Sequence, residues 1–381
     1  MEFELNEEQR MVRSMVRDLS QNEFAPRAAQ VDSTEAFPEE NIDRLAQLGL
    51  MGLPYPEAYG GGGGDYVSYA LAVEEIARGC GSTALVYAAH VSLGCGPIYA
   101  FGNEEQKQKW LPRLCSGQGL AAFGLTEPQA GSDAGATRTT AVRDGGDYVL
   151  NGSKMWITSG ALADVVNCTA KTDPEAGTKG ISCFLVEKGT PGFIPGKDEP
   201  KMGLKGSVTS ALALENCRVP ASTLLGEEGQ GFRQMLITLD SGRISIGAMA
   251  LGLGQAALDE ATRYAKERVQ FGQPIANFQA IQWMIADMAT EIDAARLMVY
   301  RAAAMKEAGL RFTKDAAMAK LYASEVAERV AFKAIQIHGG YGYSREYPVE
   351  RIYRDQRLCA IGEGTSEIQR LVIARQILGE I

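Results

Sequence analysis

The chain changes its hydrophobic period twice, so any fold it adopts must hold three segments of different character. Residues 1 to about 120 carry apolar side chains at three- and four-residue spacing, as in Glu7 to Leu19 and Tyr66 to Arg78, which is the pattern of amphipathic helices. From about 121 to 228 that spacing stops. Short β-rich runs replace it (Tyr148 to Leu150, Met155 to Thr158, Val165 to Ala170, Ile181 to Val186, Ser210 to Leu214), with turn signals at Asp144-Gly145-Gly146 and Asn151-Gly152. From about 229 to 381 the helical spacing returns, and Ile281, Met284, Ile285, Met288, Ile292, Ala295, Val299 and Ala302 fall on one helix face. The expectation is a multidomain α+β protein: a helical domain over 1–120, a compact antiparallel β domain (a sandwich or small barrel) over 121–228, and a four-helix bundle over 229–381. A length of 381 residues also exceeds what one core usually serves. The glycine run Gly60 to Gly64 interrupts the first region and must be a loop.

Composition narrows the function. With 45% hydrophobic and 22% charged residues the chain reads as globular. Its net charge of −9 is spread along the sequence, which argues against nucleic acid or an anionic membrane as the main partner. No apolar run is read as approaching the roughly 18 residues that span a bilayer. The N-terminus lacks signal and transit features, so a cytoplasmic location is expected, with a processed organellar form also compatible. Seven cysteines, none in a C-x-x-C pair, suggest neither a disulfide framework nor a zinc site. Only two histidines, His90 and His338, disfavour a histidine metal site or a hydrolytic triad. Neither G-x-G-x-x-G nor a P-loop motif occurs. Carboxylates, backbone groups and an organic cofactor are left to do the chemistry.

Six segments carry residue types suited to that chemistry. Gly124 to Asp133, GLTEPQAGSD, mixes hydroxyls, glycines and backbone donors; it suits a planar polar ring with an adjoining phosphate, or a turn-rich linker. Met155-Trp156-Ile157-Thr158 sets an aromatic beside a hydroxyl, able to cover a flavin-type ring or to fill a β core. Gln336 to Tyr343, QIHGGYGY, ends a helix at Gly339-Gly340, either as a C-cap or as backbone open to a diphosphate or adenine. Arg268-Val269-Gln270-Phe271-Gly272 holds a cation beside an aromatic, suited to a pyrophosphate. Asp240-Ser241-Gly242-Arg243 offers a second cation, salt-bridged or facing a ligand. Finally, IGEGTSEIQR (Ile361 to Arg370) places Glu363 between Gly362 and Gly364, just before a helix whose start reads as a capping box from Ser366 to Gln369. Such a carboxylate is either a base that reaches a ligand or an acid favoured by the helix dipole.

In this order and spacing the segments resemble the acyl-CoA dehydrogenase family over the whole chain. Gly124 to Ala136 and Gln336 to Asp355 are similar to its two signature stretches, and IGEGTSEIQR to the segment with its catalytic base. The resemblance implies an N-terminal helical domain, a middle β-barrel, a C-terminal four-helix bundle, a homotetramer and bound FAD. It implies α,β-dehydrogenation of an acyl-CoA thioester to the trans-2-enoyl-CoA, with electrons passing to an electron-transfer flavoprotein. Glu363 then takes the α-proton while hydride leaves Cβ for flavin N5. Its backbone N–H and a ribityl hydroxyl hydrogen-bond the thioester carbonyl to stabilise the enolate.

Carried over by position, Phe123, Leu125, Thr126 and Ser132 line the flavin and its phosphates, and Trp156, Ile157 and Thr158 cover the isoalloxazine. Arg268 and Gln270, with Phe271 beside them, meet the diphosphate end, and Phe278 and Gln279 the adenine end. Gln336, Ile337, Gly339 and Gly340 contact FAD across a subunit boundary, and Thr365 and Glu367 touch it after the base. Ser132, Asp240, Arg243 and Gly364 fall at substrate-contacting positions. Some members carry the base at the position of Gly242, which here is free of any acid. Many straight-chain relatives have tyrosine where this chain has Gly362, so a roomier pocket is expected, for a short-to-medium, branched or cyclic acyl group. With substrate bound, burial against flavin and acyl chain is expected to raise the pKa of Glu363 and to outweigh the lowering effect of the helix start. His90 is either a core histidine or a pocket group. Two rivals stand beside this reading: a flavin oxidase or monooxygenase on the same fold, and a silent flavin-fold protein in which Glu363 is spare.

Overall fold

Asn6 starts the first helix. Its side-chain oxygen accepts the Gln9 N–H (2.8 Å), the Gln9 side chain accepts the Asn6 N–H (3.1 Å), and Glu7 and Glu8 occupy the positive first turn. The computed structural model describes residues 4–379. In it the N-terminal region builds α1 (Glu7–Leu19), α2 (Ala25–Thr34), α3 (Glu39–Gln47), α4 (Tyr66–Gly79), α5 (Gly81–Ala88), α6 (Gly96–Phe101) and α7 (Glu104–Cys115). The glycine run is the expected loop ahead of α4: a Cβ on Gly61 would lie 2.1 Å from the Tyr55 carbonyl oxygen. A π-helical segment, Ala89–Cys95, joins α5 to α6.

The middle region forms β1 (Ala121–Gly124), β2 (Thr140–Asp144), β3 (Asp147–Thr158), β4 (Val165–Lys171), β5 (Ile181–Glu187), β6 (Phe193–Asp198) and β7 (Thr209–Pro220). They make one curled sheet in the order β6-β7-β3-β2-β4-β1, with β5 pairing β4 as well. Two expectations are corrected. The sheet is not wholly antiparallel: β1 runs parallel to β4, with Ala121 opposite Val165, and Thr140 meets Lys171 in parallel. The reason is topological, since the β2–β3 hairpin lies between β1 and β4 and supplies the long connection a parallel pair requires. Nor does Asn151-Gly152 turn the chain. β3 runs straight through it, with a register shift against β7 between Leu150 and Gly152. A second shift, between Lys154 and Ile157, holds Trp156 at φ 62° and turns it outward while Ile157 stays inside.

The C-terminal region contributes α8 (Gly231–Glu267), α9 (Gln279–Glu307), α10 (Thr313–His338), α11 (Val349–Gln356) and α12 (Ser366–Leu378). The predicted face of α9 is the inward one: Met288, Ile292, Ala295, Val299 and Ala302 are all buried. Both helical regions share a single apolar core, in which Val16, Leu71 and Val86 join Met249, Ile292 and Val330. The sheet lies between this core and its own. Cys183 and Leu185 of β5 face the helices, whereas Phe184 and Val186 face the second core with Tyr148, Leu150 and Leu214. Strict alternation along β5 thus serves two cores at once.

One composition reading also changes. The helical stretches Gly81–Phe101 and Gly231–Glu267 are each long and apolar enough to cross a membrane by length and composition. Inside the fold 72% and 78% of their most apolar windows are buried, so their all-round apolarity serves the shared core.

A buried ion pair joins the start of the β domain to β3. Lys154, fully buried, donates to Glu127 Oε1 (2.8 Å), to Thr169 Oγ1 (3.0 Å) and to the Leu125 carbonyl (3.3 Å). Glu127 also accepts the Arg138 N–H (2.6 Å), the Thr139 N–H (3.1 Å) and the Thr137 hydroxyl. Burial pushes the Glu127 carboxyl upward, but the Lys154 charge and these donors outweigh it and bring it to about 2. We predict that Glu127→Ala, which leaves Lys154 buried and unpaired, costs about 3–5 kcal/mol, read as a lowered urea midpoint. Because the folded value lies below the ordinary carboxylate range, the wild-type contribution is complete above about pH 5 and is lost as pH falls toward 2. The wild-type-to-variant stability gap should therefore narrow in acid.

Candidate active site

Glu363 stands in left-handed backbone at φ 55°, followed by Gly364 at φ 95°. Two consecutive left-handed residues turn the carbonyls of 363 and 364 into the helical bundle, where each needs a donor. Gln369 on the first turn of α12 supplies them, with Nε2 donating to the Glu363 carbonyl (3.2 Å) and the Gly364 carbonyl (2.9 Å). Lys320 of α10 donates to the Gly364 carbonyl as well (2.7 Å). The capping box expected at Ser366 and Gln369 is therefore corrected. Thr365 is the N-cap, its hydroxyl accepting the Ile368 N–H (3.3 Å), and the Gln369 side chain reaches back to the turn.

The carboxylate of Glu363 points at α8. A Cβ on Gly242 would lie 1.9 Å from Glu363 Oε2 and 2.9 Å from Leu93 Cδ2, so the space a side chain would need at 242 belongs to the Glu363 carboxyl. Oε2 is buried and, among the described residues, has no hydrogen-bond partner. Burial raises the group to about 7, opposed by the charges of Lys320 and Arg243. The opposing influence comes from two buried cations.

Leu93 belongs to the π-helical segment, which links the base to β1. Asn167 Nδ2 donates to the carbonyls of Gly94 (2.8 Å) and Ala122 (3.1 Å), and a Cβ on Gly94 would lie 2.6 Å from the Ala121 carbonyl oxygen. From β1 the chain carries Phe123 (part-buried), Leu125 (buried) and Thr126, whose carbonyl accepts the Met155 N–H (2.9 Å) and so ties this segment to Trp156, Ile157 and Thr158. Trp156 is 57% exposed, Thr158 part-exposed, Ile157 buried and Ser132 exposed.

A second cluster lies at the far end of α10. A groove of 660 Å³ is lined by Arg268, Gln270, Ile337, Gly339, Gly340 and Tyr341, among others. The Arg268 guanidinium sits over the Tyr341 ring (5.4 Å) and pairs with no carboxylate among the described residues. Phe271, 93% exposed, meets Phe278 edge-on at 6.0 Å. Gln279 and Gln336 are exposed near these elements without lining the groove, Glu367 is exposed on the first turn of α12 beside the base, and Thr365 is occupied as the α12 cap.

Two candidates have inward partners. Arg243 is buried and pairs with Asp240 (2.5 Å), which also accepts the Thr313 hydroxyl (2.6 Å). His90 is a core histidine: Nδ1 accepts the Ala121 N–H (3.2 Å), Nε2 donates to the Leu114 carbonyl (3.1 Å), and burial lowers it to about 4.

Family comparison accounts for nearly all of this chain. The acyl-CoA dehydrogenase N-terminal domain matches residues 6–118, the middle domain 122–217 and the C-terminal domain 229–378. The chain belongs to the acyl-CoA dehydrogenase family. It is an oxidoreductase acting on the CH–CH group of acyl-CoA, and FAD is its cofactor. It is 57% identical to a probable acyl-CoA dehydrogenase of Bacillus subtilis (strain 168), over 99% of this chain and 100% of that one. It is 50% identical to a short-chain specific acyl-CoA dehydrogenase of Clostridium acetobutylicum, again over 99% and 100%. Its fold superposes on the butyryl-CoA dehydrogenase of Megasphaera elsdenii with TM-score 0.97, at 46% identity over 99% and 100% of the two chains.

The residues present fit FAD. An exposed indole held outward by a bulge, an arginine without a carboxylate partner, and an exposed Gly339-Gly340 rim beside it offer a ring platform and a diphosphate site. Sequence reasoning missed Lys320, Leu93 and the Glu127–Lys154 pair, and gave Gln369 a capping role in place of its bonds to the turn. Lys320 had a legible signal, since Ala316, Lys320, Ala323 and Ala327 share one buried helical face on which a lysine is out of place.

We predict that Gly242→Ala displaces the Glu363 carboxyl and slows flavin bleaching by acyl-CoA by about 100-fold, with FAD content unchanged in the absorbance spectrum. The raised Glu363 carboxyl makes the folded state less stable as pH climbs through about 7, its contribution being complete only below the ordinary carboxylate range. Glu363→Gln should therefore melt about 2–4 °C above wild type at pH 8, with the gap shrinking as pH is lowered to 5.

Proposed function

We propose that the enzyme dehydrogenates a short-chain acyl-CoA thioester at Cα–Cβ, with Glu363 as the base. The observation that carries this reading is the buried, unpartnered Oε2 of Glu363, raised to about 7 and pressed against Gly242. A base of that strength is ionised near neutral pH, yet strong enough to accept a proton from a thioester α-carbon whose enolate is stabilised. The Cα–H proton passes to the Glu363 carboxylate, the Cβ–H leaves with its electron pair, and a trans C=C bond forms between the two carbons. When bound, FAD supplies the acceptor for that hydride. The N–H of Glu363 donates to the thioester oxygen, a role that its left-handed turn supports. Trp156 covers the ring, and Arg268 with Gly339 and Gly340 receives the diphosphate of a FAD shared between subunits. Electrons then pass to an electron-transfer flavoprotein in the cytoplasm. A homotetramer accords with the large apolar side chains left exposed in the C-terminal region, including Phe271 in the turn after α8, Trp283 on α9 and Phe332 on α10.

Gly362 donates its N–H to the Leu358 carbonyl (2.8 Å) and carries no side chain, which keeps this side of the turn slender and supports a branched or cyclic acyl group. The test is anaerobic flavin bleaching by butyryl-, isobutyryl-, isovaleryl-, octanoyl-, glutaryl- and cyclohexanecarboxyl-CoA. Fastest bleaching by a C4 substrate is expected, and a clear preference for octanoyl-CoA would overturn the short-chain reading. Glu363→Gln should retain FAD and lose bleaching by at least about 1,000-fold. An active variant would remove Glu363 from the mechanism. For wild type, kcat/KM should fall as pH drops below about 7, because the protonated carboxyl cannot accept the α-proton.

A further inference from the structure

Lys320 sits on α10 with its side chain fully buried. An ammonium group has three protons to place and is costly to remove from water. Here it makes a hydrogen bond to the Gly364 carbonyl (2.7 Å) and, among the described residues, pairs with no carboxylate within 4.0 Å. The proton transfer described above does not use it. The carbonyl it holds belongs to the residue directly after Glu363, inside the left-handed turn. Left-handed backbone costs an L-residue roughly 1–2 kcal/mol and persists only where the surroundings hold it. Gln369 alone could hold this carbonyl as a neutral donor (2.9 Å). The positive charge at Lys320 therefore calls for a role beyond hydrogen bonding.

We infer that Lys320 is the positioning residue of the base: it pins the Glu363–Gly364 turn from behind and supplies the buried positive charge that lets the Glu363 carboxyl ionise. This rests on Glu363 being the base. The groups facing Glu363 are Lys320 from α10, Arg243 from α8, Tyr66 from α4 and Cys359 from the turn before the loop. Those facing Lys320 are Cys359, Glu363, Arg243 and Glu367. Arg243 is already neutralised by Asp240 at 2.5 Å, whereas Lys320 has no such partner and opposes the burial of Glu363 more strongly. Burial lowers Lys320 to about 8 against the raising effect of Cys359 and Glu363. Near neutral pH the ammonium is thus still charged while the carboxyl is losing its proton.

The experiment uses the FAD holoenzyme and butyryl-CoA between pH 5.5 and 9, comparing wild type with Lys320→Met, Lys320→Gln, Lys320→Arg and Glu363→Gln. Lys320→Gln retains a donor for Gly364 and removes the charge, so it serves even where Lys320→Met fails to fold. For both neutral variants the acid limb of kcat/KM should move up by about one unit, with bleaching about tenfold slower on that limb and KM within about twofold of wild type. Lys320→Arg should move the limb back toward wild type. A second readout is independent of turnover: the melting-temperature gap between a Lys320→Gln protein and its Glu363→Gln double variant should level off about one pH unit higher than the gap between wild type and Glu363→Gln. An unmoved acid limb together with an unmoved levelling-off pH overturns the role of Lys320, whatever the absolute rate. Wild-type bleaching by Glu363→Gln alone would instead overturn the base assignment, so the two failures are distinguishable.

Discussion

A carboxylate taken out of water must be balanced, or it takes up a proton and stops being a base at neutral pH. In this protein that constraint falls on Glu363, whose Oε2 is buried without a hydrogen-bond partner. The site answers with cations placed close by, Lys320 on α10 and Arg243 on α8, and with donors for the turned backbone from Gln369 on α12. Three helices must therefore converge at a fixed distance. The contact between the carboxyl and Gly242 leaves no room for even a methyl group on α8. The apolar core shared by the two helical regions is what holds that convergence, since it locks α8 against α4 and α10 through residues such as Met249, Leu71 and Val330.

Glu127 and Glu363 both carry buried carboxyl oxygens, with opposite fates. Glu127 accepts from Lys154 at 2.8 Å and from two backbone N–H groups, and it is driven down to about 2. Glu363 has cations nearby but no donor on its buried oxygen, and it rises to about 7. Burial pushes both upward, and the Lys154 charge in direct contact with Glu127, together with its hydrogen bonds, decides the difference. The first arrangement suits a structural tie between the Gly124–Asp133 segment and β3. The second suits a group that must gain and lose a proton.

The path between these glutamates runs through the π-helical segment Ala89–Cys95. Leu93 packs against Gly242, and the carbonyls of Leu93 and Gly94 are held by Asn167 from β4. His90 in the same segment is fully occupied by main-chain partners, so it stiffens the junction between α7 and β1 and takes no part in proton handling.

Local periodicity was enough to read the succession of helical, β and helical regions, because a 3.6-residue or two-residue repeat is a property of neighbouring residues. The glycines flanking Glu363, the bare position at Gly242 and the Arg268 to Gly272 segment were likewise legible, since each depends on residue type at a fixed spacing. What the sequence could not determine depends on partners far along the chain. The parallel β1–β4 pairing, the bulges that replace a turn at Gly152 and hold Trp156 outward, and the common core of the two helical regions are set by contacts across more than forty residues. So is the environment of Glu363. Its chemistry comes from Lys320, Arg243 and Gly242, which only the tertiary fold brings to the same few ångströms, and desolvation exists only where packing has excluded water.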